Sequence, residues 1–202
     1  MTTKTETKQF QYEIQAYQED CVNNIISLFE SLRQKEKFDD VLTAHHNKNK
    51  YKFPVQNNNN IDIMMETGTG KTFTFIKTIF ELSKHFGYKK FIVLIPTVPI
   101  REGTKTNLED TKDYFKSFYA NEKEKEIETF VYEGGNISAV RQFIGTSHLS
   151  VLVMTPSSFS HKDNILNRPL EKDINTPELF VNNQEPPKSY LECLKRLNPI
   201  VI

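Results

Sequence analysis

The sequence predicts an α/β fold with a mostly parallel sheet flanked by helices. Two observations carry this prediction. Short apolar runs of strand type alternate with segments whose apolar residues recur at helical spacing. The run FIVLI (91–95) is apolar throughout and SVLVM (150–154) is apolar after its serine, as expected of parallel strands buried on both faces. Strands alternating with helices form parallel sheets with right-handed crossovers, and ligands bind at the carboxyl ends of such strands.

The remaining elements are predicted in chain order. Helical periodicity predicts helices from Gln18 to Leu32, over 71–87, over 104–118, through Val140 and Phe143, and over 189–197. Gly87 stands where a glycine ends a helix. Further strands are predicted in IDIMM (61–65), IETFVY (127–132) and PIVI (199–202). The polar stretches 34–60 and 160–188 lack periodicity and are predicted to be loops.

Three regions follow from this pattern. Residues 1–33 are predicted to hold a polar lead and the first helix, residues 34–60 a polar insertion, and residues 61–202 an incomplete sheet domain.

Composition excludes a general attraction to polyanions. The 26 basic and 26 acidic side chains cancel, so any contact with nucleic acid must be local. No apolar run approaches the ~20 residues of a membrane span, and the first ten residues lack an apolar signal core. The two cysteines, far apart and without metal-type spacing, are expected to be reduced thiols. We expect a cytoplasmic protein with no membrane partner.

METGTGKT (65–72) is the strongest functional signal, because it lies between a predicted strand and a predicted helix. Gly68 and Gly70 lack a Cβ, so the backbone can curl closely around a phosphate, with amide groups converging on it. Lys71 would place a charge between the β- and γ-phosphates, and the Thr72 hydroxyl would ligate Mg²⁺. The predicted ligands of ATP in this loop are Thr67, Gly68, Thr69, Gly70, Lys71 and Thr72, and Lys71 is also the candidate catalytic residue.

Two alternatives remain open for this loop. It could be an ordinary helix entry with an incidental lysine. It could also belong to a P-loop kinase or nucleotide switch, which predicts substrate-binding residues and a complete acidic motif soon after the loop. Met65 stands where the strict phosphate-loop pattern has glycine. Superfamily 2 helicases and translocases do not require glycine at that position, so Met65 narrows the class of protein to such motors.

Taken with its neighbours, the loop resembles one family. METGTGKT, followed by IFEL, GYKKFIVLIPTVPIREG, VRQF and NPIVI, resembles the restriction (Res) subunit of type III restriction–modification enzymes, from about Tyr12 to the last residue. The resemblance implies a RecA-like P-loop domain and an ATP-dependent DNA translocase and endonuclease. It also implies a methyltransferase (Mod) partner subunit. Another superfamily 2 helicase or a type I restriction motor subunit is the alternative.

The resemblance also implies roles for residues outside the loop. AYQED resembles the Q-motif, in which Gln18 would pair with adenine, and Tyr12 could stack on the base. PTVPIREG resembles motif Ia, in which Thr97 would touch DNA phosphates. Arg101 would either add a charge contact to DNA or form a salt bridge with Glu102. VMTPSSF resembles motif Ib, with Thr155 in the same role as Thr97.

The acidic motif of such motors is expected to lie beyond this sequence. In the family an Asp-Glu (DEAD-type) motif follows the strand that NPIVI resembles, holding Mg²⁺ and positioning the attacking water. The sequence stops at Ile202, before that motif. We therefore expect a fragment truncated before its acidic motif, which holds ATP phosphates without hydrolysing them.

Overall fold

A computed structural model describes residues 13–34, 37–50, 60–119, 127–135, 137–160, 164–170 and 187–202. The chain divides into two compact units, of which one lies within residues 11–85 and the other runs from residue 86 to 202. In these described ranges, no helix is both long and apolar enough to cross a membrane.

The first unit begins with helix α1 (Ala16–Arg33), as the periodicity after Gln18 predicts. The helix starts two residues earlier than expected, because Gln15 takes an extended N-cap conformation and its backbone N–H donates to Gln18 Oε1 over 3.1 Å. Its buried face carries Val22, Ile25, Ile26 and Leu28.

The loop predicted over 34–60 is wrong in part, since helix α2 (Phe38–Asn49) occupies its middle. Asp39 and Asp40 lie in the first turn, where carboxylates offset the positive end of the helix dipole. Val41 is the buried residue of α2, and the helix packs on α1. A helix anchored by so few apolar residues has weak hydrophobic periodicity, which explains why the sequence pattern missed it. Residues 35–36 and 51–59 lie outside the described ranges.

Helix α3 (Lys71–Phe86) confirms the predicted helix after the glycine-rich loop. Gly87 follows with φ +74°, the left-handed conformation that ends many helices. The strand predicted over 61–65 is wrong: these residues form no strand. A strand needs hydrogen-bonded neighbours, and the sheet of the described residues pairs other segments. Met64 in this segment is 73% exposed, so an apolar composition did not ensure burial.

The second unit contains a four-stranded parallel sheet in the order β2-β3-β1-β4. The strands are β1 (Lys90–Leu94), β2 (Glu128–Val131), β3 (Ser150–Met154) and β4 (Ile200–Val201). β3 is buried along its whole length between β1 and β2. The predicted mixed α/β fold with a parallel sheet is confirmed, and so are the four strands predicted in this part of the chain.

Helices cover this sheet. They are α4 (Val98–Asp110), α5 (Lys112–Phe118), α6 (Ser138–Gly145), the short α7 (Ser157–Ser160) and α8 (Tyr190–Arg196). The helix predicted over 104–118 starts six residues early and is interrupted at Thr111. Thr97 is its extended N-cap and Pro99 lies in its first turn, where a missing backbone N–H costs no hydrogen bond.

The core of the second unit lies where α6 and α8 meet the sheet. Its fully buried members include Val140, Phe143 and Leu152. Two polar contacts hold its edge. Arg141 donates to the Tyr190 hydroxyl from Nε at 2.9 Å and from Nη2 at 2.8 Å. These contacts tie α6 to α8 across an otherwise apolar interface.

The region predicted as a loop over 160–188 is described only at residues 164–170 and at its end. There, a 3₁₀ turn (Ile165–Asn167) buries Leu166 completely. Asn164 Oδ1 accepts from the Tyr132 hydroxyl at 2.9 Å and from Leu166 N–H at 3.1 Å. Part of this polar stretch therefore belongs to the core, and residues 161–163 and 171–186 lie outside the described ranges.

Candidate functional site

The glycine-rich loop is a closed turn immediately before α3. Gly68 has φ +83° and Gly70 has φ +81°, conformations that other residues rarely adopt. Thr69 Oγ1 donates to Glu66 O at 2.6 Å, and Thr69 N–H donates to the same carbonyl at 3.4 Å. The tight curl expected of METGTGKT is therefore present, and α3 begins with Lys71.

The two glycines serve different purposes. A Cβ on Gly68 would meet nothing within 4 Å, so only its φ requires glycine. A Cβ on Gly70 would lie 2.4 Å from Nε2 of Gln18, so the end of the Gln18 side chain would have to move aside. Helix α1 thus approaches the loop closely at Gly70.

Lys71 folds back over the loop. Its Nζ donates to Glu66 O at 2.8 Å and to Met65 O at 3.1 Å, although the side chain is exposed. A single ammonium group therefore faces the carbonyls of the turn. These neutral acceptors are weaker partners for an ammonium than an anion is, so an anion at the loop would compete for Lys71.

Gln18 reaches the loop from the first turn of α1. It is 6% exposed, and its Nε2 donates to Thr69 O at 2.9 Å while its Oε1 accepts from Gln15 N–H. An amide nitrogen carries two hydrogens and a carbonyl oxygen two lone pairs, so one position on each atom remains. Pairing with adenine stays a prediction. Tyr12, the possible stacking residue, lies outside the described ranges.

Tyr17 is a loop contact that the sequence did not reveal. Its hydroxyl donates to Thr69 O at 3.1 Å, so two side chains of α1 share one carbonyl of the loop. An exposed tyrosine beside a polar helix start carries no periodicity signal. Only its adjacency to Gln18 could have indicated it.

The metal prediction rests on Thr72. This residue is half-buried in the first turn of α3, and Thr67 is exposed on the loop. Within the described ranges, no group of three or more His, Cys, Asp or Glu side chains could hold a metal ion. Binding of Mg²⁺ at Thr72 stays a prediction.

In the second unit, the sheet brings Thr97 and Thr155 to one edge. β1 and β3 are adjacent and parallel, with Leu94 paired to Met154. Thr97 and Thr155 follow these strand ends by three residues and one residue. Thr97 is exposed and its side chain makes no capping bond, whereas Thr155 Oγ1 lies 2.7 Å from Ser157 Oγ. The hydroxyls predicted to contact phosphate therefore share the carboxyl edge of the sheet.

Arg101 makes the ion pair that the sequence left open as an alternative. Its guanidinium donates to Glu102 Oε1 from Nη2 at 2.9 Å and from Nε at 3.1 Å. It also lies 3.5 Å from Glu133 Oε1 and donates to Tyr132 O at 3.4 Å. The residue is 8% exposed. Its charge is thus used to join α4 to the end of β2, and contact with DNA would require it to leave these partners.

These features define the class of protein domain. A phosphate-type loop closes onto a helix in a chain that also holds a parallel, helix-covered sheet, as in RecA-like P-loop domains. The profile of the family described as "Type III restriction enzyme, res subunit" matches residues 11–184. The chain belongs to that family, which confirms the resemblance proposed from the sequence motifs.

Individual relatives agree with the family match. The chain is 39% identical over 126 residues to the EcoPI Res subunit of Escherichia phage P1. This match covers 58% of this chain and 12% of that subunit. It is 48% identical over 75 residues to the EcoP15I Res subunit of Escherichia coli, or 37% of this chain and 8% of that subunit. It is also 42% identical over 66 residues to the StyLTI Res subunit of Salmonella typhimurium, which amounts to 31% of this chain and 6% of that subunit. The chain thus spans about an eighth or less of these relatives.

Proposed function

We propose that this chain is the ATP-binding part of a DNA-translocating, ATP-dependent type III restriction endonuclease subunit. The geometry of the loop carries the proposal: two glycines with positive φ close a turn, and the first residue of the following helix is a lysine held over it. Membership of the Res family favours this function over a type I restriction motor or a general helicase. We further propose a methyltransferase (Mod) subunit as partner and the cytoplasm as compartment.

ATP and Mg²⁺ fit the residues present. Loop backbone amides and the start of α3 would hold the β-phosphate, Lys71 would bridge towards the γ-phosphate, and Thr72 would bind the ion. The bound metal supplies charge neutralisation for the phosphates. Lys71 would exchange its bonds to Met65 O and Glu66 O for charge-assisted bonds to phosphate oxygens. The exchange favours phosphate because a bond between two ions is stronger than one to a neutral carbonyl.

Magnesium-dependent ADP binding to the purified 202-residue chain tests the nucleotide site. Lys71→Ala should weaken binding at least about tenfold, because a hydrogen bond to a charged group contributes ~1.5–3 kcal/mol. Lys84→Ala is the matched control, since it removes an exposed lysine from the last turn of the same helix. Equal ADP affinity of the unaltered chain and Lys71→Ala, measured by calorimetry, would refute the site.

The same preparation should not turn ATP over. In the described ranges, no group of three or more His, Cys, Asp or Glu side chains could hold a metal ion. Phosphate release is the measurement, with Lys71→Ala as background. Steady hydrolysis that Lys71→Ala abolishes would contradict this proposal.

Thr97 and Thr155 are proposed to contact DNA phosphates without reading sequence. Their common position at the carboxyl edge of the sheet supports this, and the pairing of Arg101 with Glu102 limits the local positive charge. Binding should therefore be weak and should fall with salt. Combined Thr97→Val and Thr155→Val substitutions should reduce the affinity for duplexes of unrelated sequence equally. A loss confined to one sequence would contradict backbone contact.

A further inference from the structure

Tyr17 makes an unexpected contact for a side chain that is 48% exposed. Its hydroxyl could be hydrated by water, yet it donates to Thr69 O at 3.1 Å. The neighbouring Gln18 donates to the same oxygen at 2.9 Å. The carbonyl of Thr69 therefore accepts from two donors on consecutive residues of α1, as many as its two lone pairs can take.

Holding this carbonyl also fixes the next amide. In a trans peptide the C=O of one residue and the N–H of the following residue point in opposite directions. No cis peptide bond occurs in the described part of the chain. Because Thr69 O points to α1, the N–H of Gly70 points away from α1. The two donors of α1 thus determine the direction in which one loop amide is presented.

The peptide between Thr69 and Gly70 needs such a restraint. Glycine residues lie on both sides of Thr69, and both have positive φ. Rotation of this peptide changes ψ of Thr69 and φ of Gly70. Glycine adopts positive and negative φ almost equally well, so Gly70 offers little steric resistance to this rotation. The hydrogen bonds of Thr69 to Glu66 O hold its N–H and side chain and leave the direction of its carbonyl unrestrained.

We infer that Tyr17 is a positioning residue for phosphate binding, which holds the Thr69–Gly70 peptide through Thr69 O so that the Gly70 amide is already oriented. The inference rests on the proposed nucleotide function of the loop. Tyr17 need not touch the nucleotide. Its contribution is preorganisation: without its hydroxyl, Gln18 alone holds Thr69 O, and the peptide is held less firmly in the direction that binding needs.

Nuclear magnetic resonance tests the contact without any nucleotide. The sequence contains two Thr–Gly pairs, Thr67–Gly68 and Thr69–Gly70. Labelling threonine with ¹³C at the carbonyl and glycine with ¹⁵N therefore leaves one signal from each pair. Tyr17→Phe should shift the Thr69 carbonyl and Gly70 amide signals, because the carbonyl loses a donor. The Thr67–Gly68 signal is the internal reference and should move less.

Binding of magnesium ADP tests the positioning role. Tyr17→Phe retains the aromatic ring and should weaken ADP binding roughly fivefold, the effect of about one net hydrogen bond. AMP lacks the β-phosphate, so its affinity should change less than that of ADP. Tyr88→Phe is the matched control, since it removes the hydroxyl of another exposed tyrosine, outside the loop and α1.

The outcomes separate the two proposals. A shifted Thr69 carbonyl signal together with weaker ADP binding supports the inference. An unmoved signal, or ADP affinity equal to that of Tyr88→Phe, overturns it even when Lys71→Ala abolishes binding. If the unaltered chain does not bind ADP, the nucleotide function and the positioning role both fail. The carbonyl signal would then still show whether Tyr17 donates to Thr69.

Discussion

Replacement of Gly70 by alanine tests the link between α1 and the loop. Alanine at φ +81° is strained by about 1–2 kcal/mol. The new Cβ would also occupy the space of Gln18 Nε2, so the amide must move away and lose its bond to Thr69 O. That bond contributes about 1 kcal/mol. A lower entropy of the unfolded chain returns ~0.4–1 kcal/mol. Gly70→Ala should therefore destabilise the protein by about 1–2.5 kcal/mol.

Gly68→Ala is a nearly ideal control for this substitution. Its φ of +83° imposes a similar backbone strain, and its unfolded chain gains the same restriction. Its Cβ meets nothing within 4 Å, so no neighbour must move. The difference between the two variants isolates the collision with Gln18. It should amount to about 1 kcal/mol, or a difference of ~2–4 °C in Tm for a chain of this length.

A double-mutant cycle sharpens the assay. In a Gln18→Ala background the collision is absent, so Gly70→Ala should cost no more than Gly68→Ala. Thermal unfolding by circular dichroism measures all the variants at one protein concentration. Equal Tm losses for Gly68→Ala and Gly70→Ala in the unaltered chain would refute the argument. An extra loss at Gly70 that persists without Gln18 would show that some other contact causes it.

Two further predictions concern the second unit. Burial lowers the pKa of Lys90 to about 8, against an ordinary value of 10.5, although Glu128 nearby favours the charged form. The unfolded chain then binds more protons between these values, so this residue's contribution to stability rises as pH rises from 8 towards 10.5. The free energy of unfolding in denaturant, measured against pH, should show a rise that Lys90→Met lacks and that Lys195→Met, at an exposed lysine, retains. Tyr190→Phe removes the oxygen that accepts both bonds from Arg141 and should lower the free energy of unfolding by about 1 kcal/mol. An unchanged denaturation midpoint would show that water replaces the hydroxyl as the partner of Arg141.

Continuous apolar runs were the most reliable guide to the fold. FIVLI and SVLVM form most of β1 and β3, the two central strands of the sheet, because a strand buried on both faces is apolar at most of its positions. The run over 61–65 has a similar composition, but the described residues give it no strand partner, and composition does not encode pairing. The prediction failed in the opposite way at α2. A loop was expected there, but one buried valine anchors a polar helix. Its start is supported by two first-turn aspartates, a local signal that periodicity alone does not use.

The candidate site was predictable where the backbone itself forms it. Two glycines, a lysine and a threonine at fixed spacing specify a turn before a helix, and the structure forms that turn. Contacts over long sequence distances were not predictable. The donation from Tyr17 to Thr69 joins residues 52 positions apart, and that from Arg101 to Tyr132 O joins residues 31 apart. Such partners depend on how helices pack, and the residue patterns of a single sequence do not reveal this packing.

Three of the side chains proposed to bind a ligand already have partners within the protein. Lys71 donates to loop carbonyls, Gln18 to Thr69 O, and Arg101 to Glu102. The affinity measured for a ligand is therefore a difference between two sets of bonds. The exchange of internal bonds for bonds to phosphate is most favourable at Lys71, where an anion replaces neutral carbonyls as the partner of the ammonium group. It favours phosphate least at Arg101, because this nearly buried side chain would have to give up its bonds to the Glu102 carboxylate. The same comparison ranks the sites: loss of a side chain should affect nucleotide affinity strongly at Lys71, whereas at Arg101 it should affect folding more than DNA affinity.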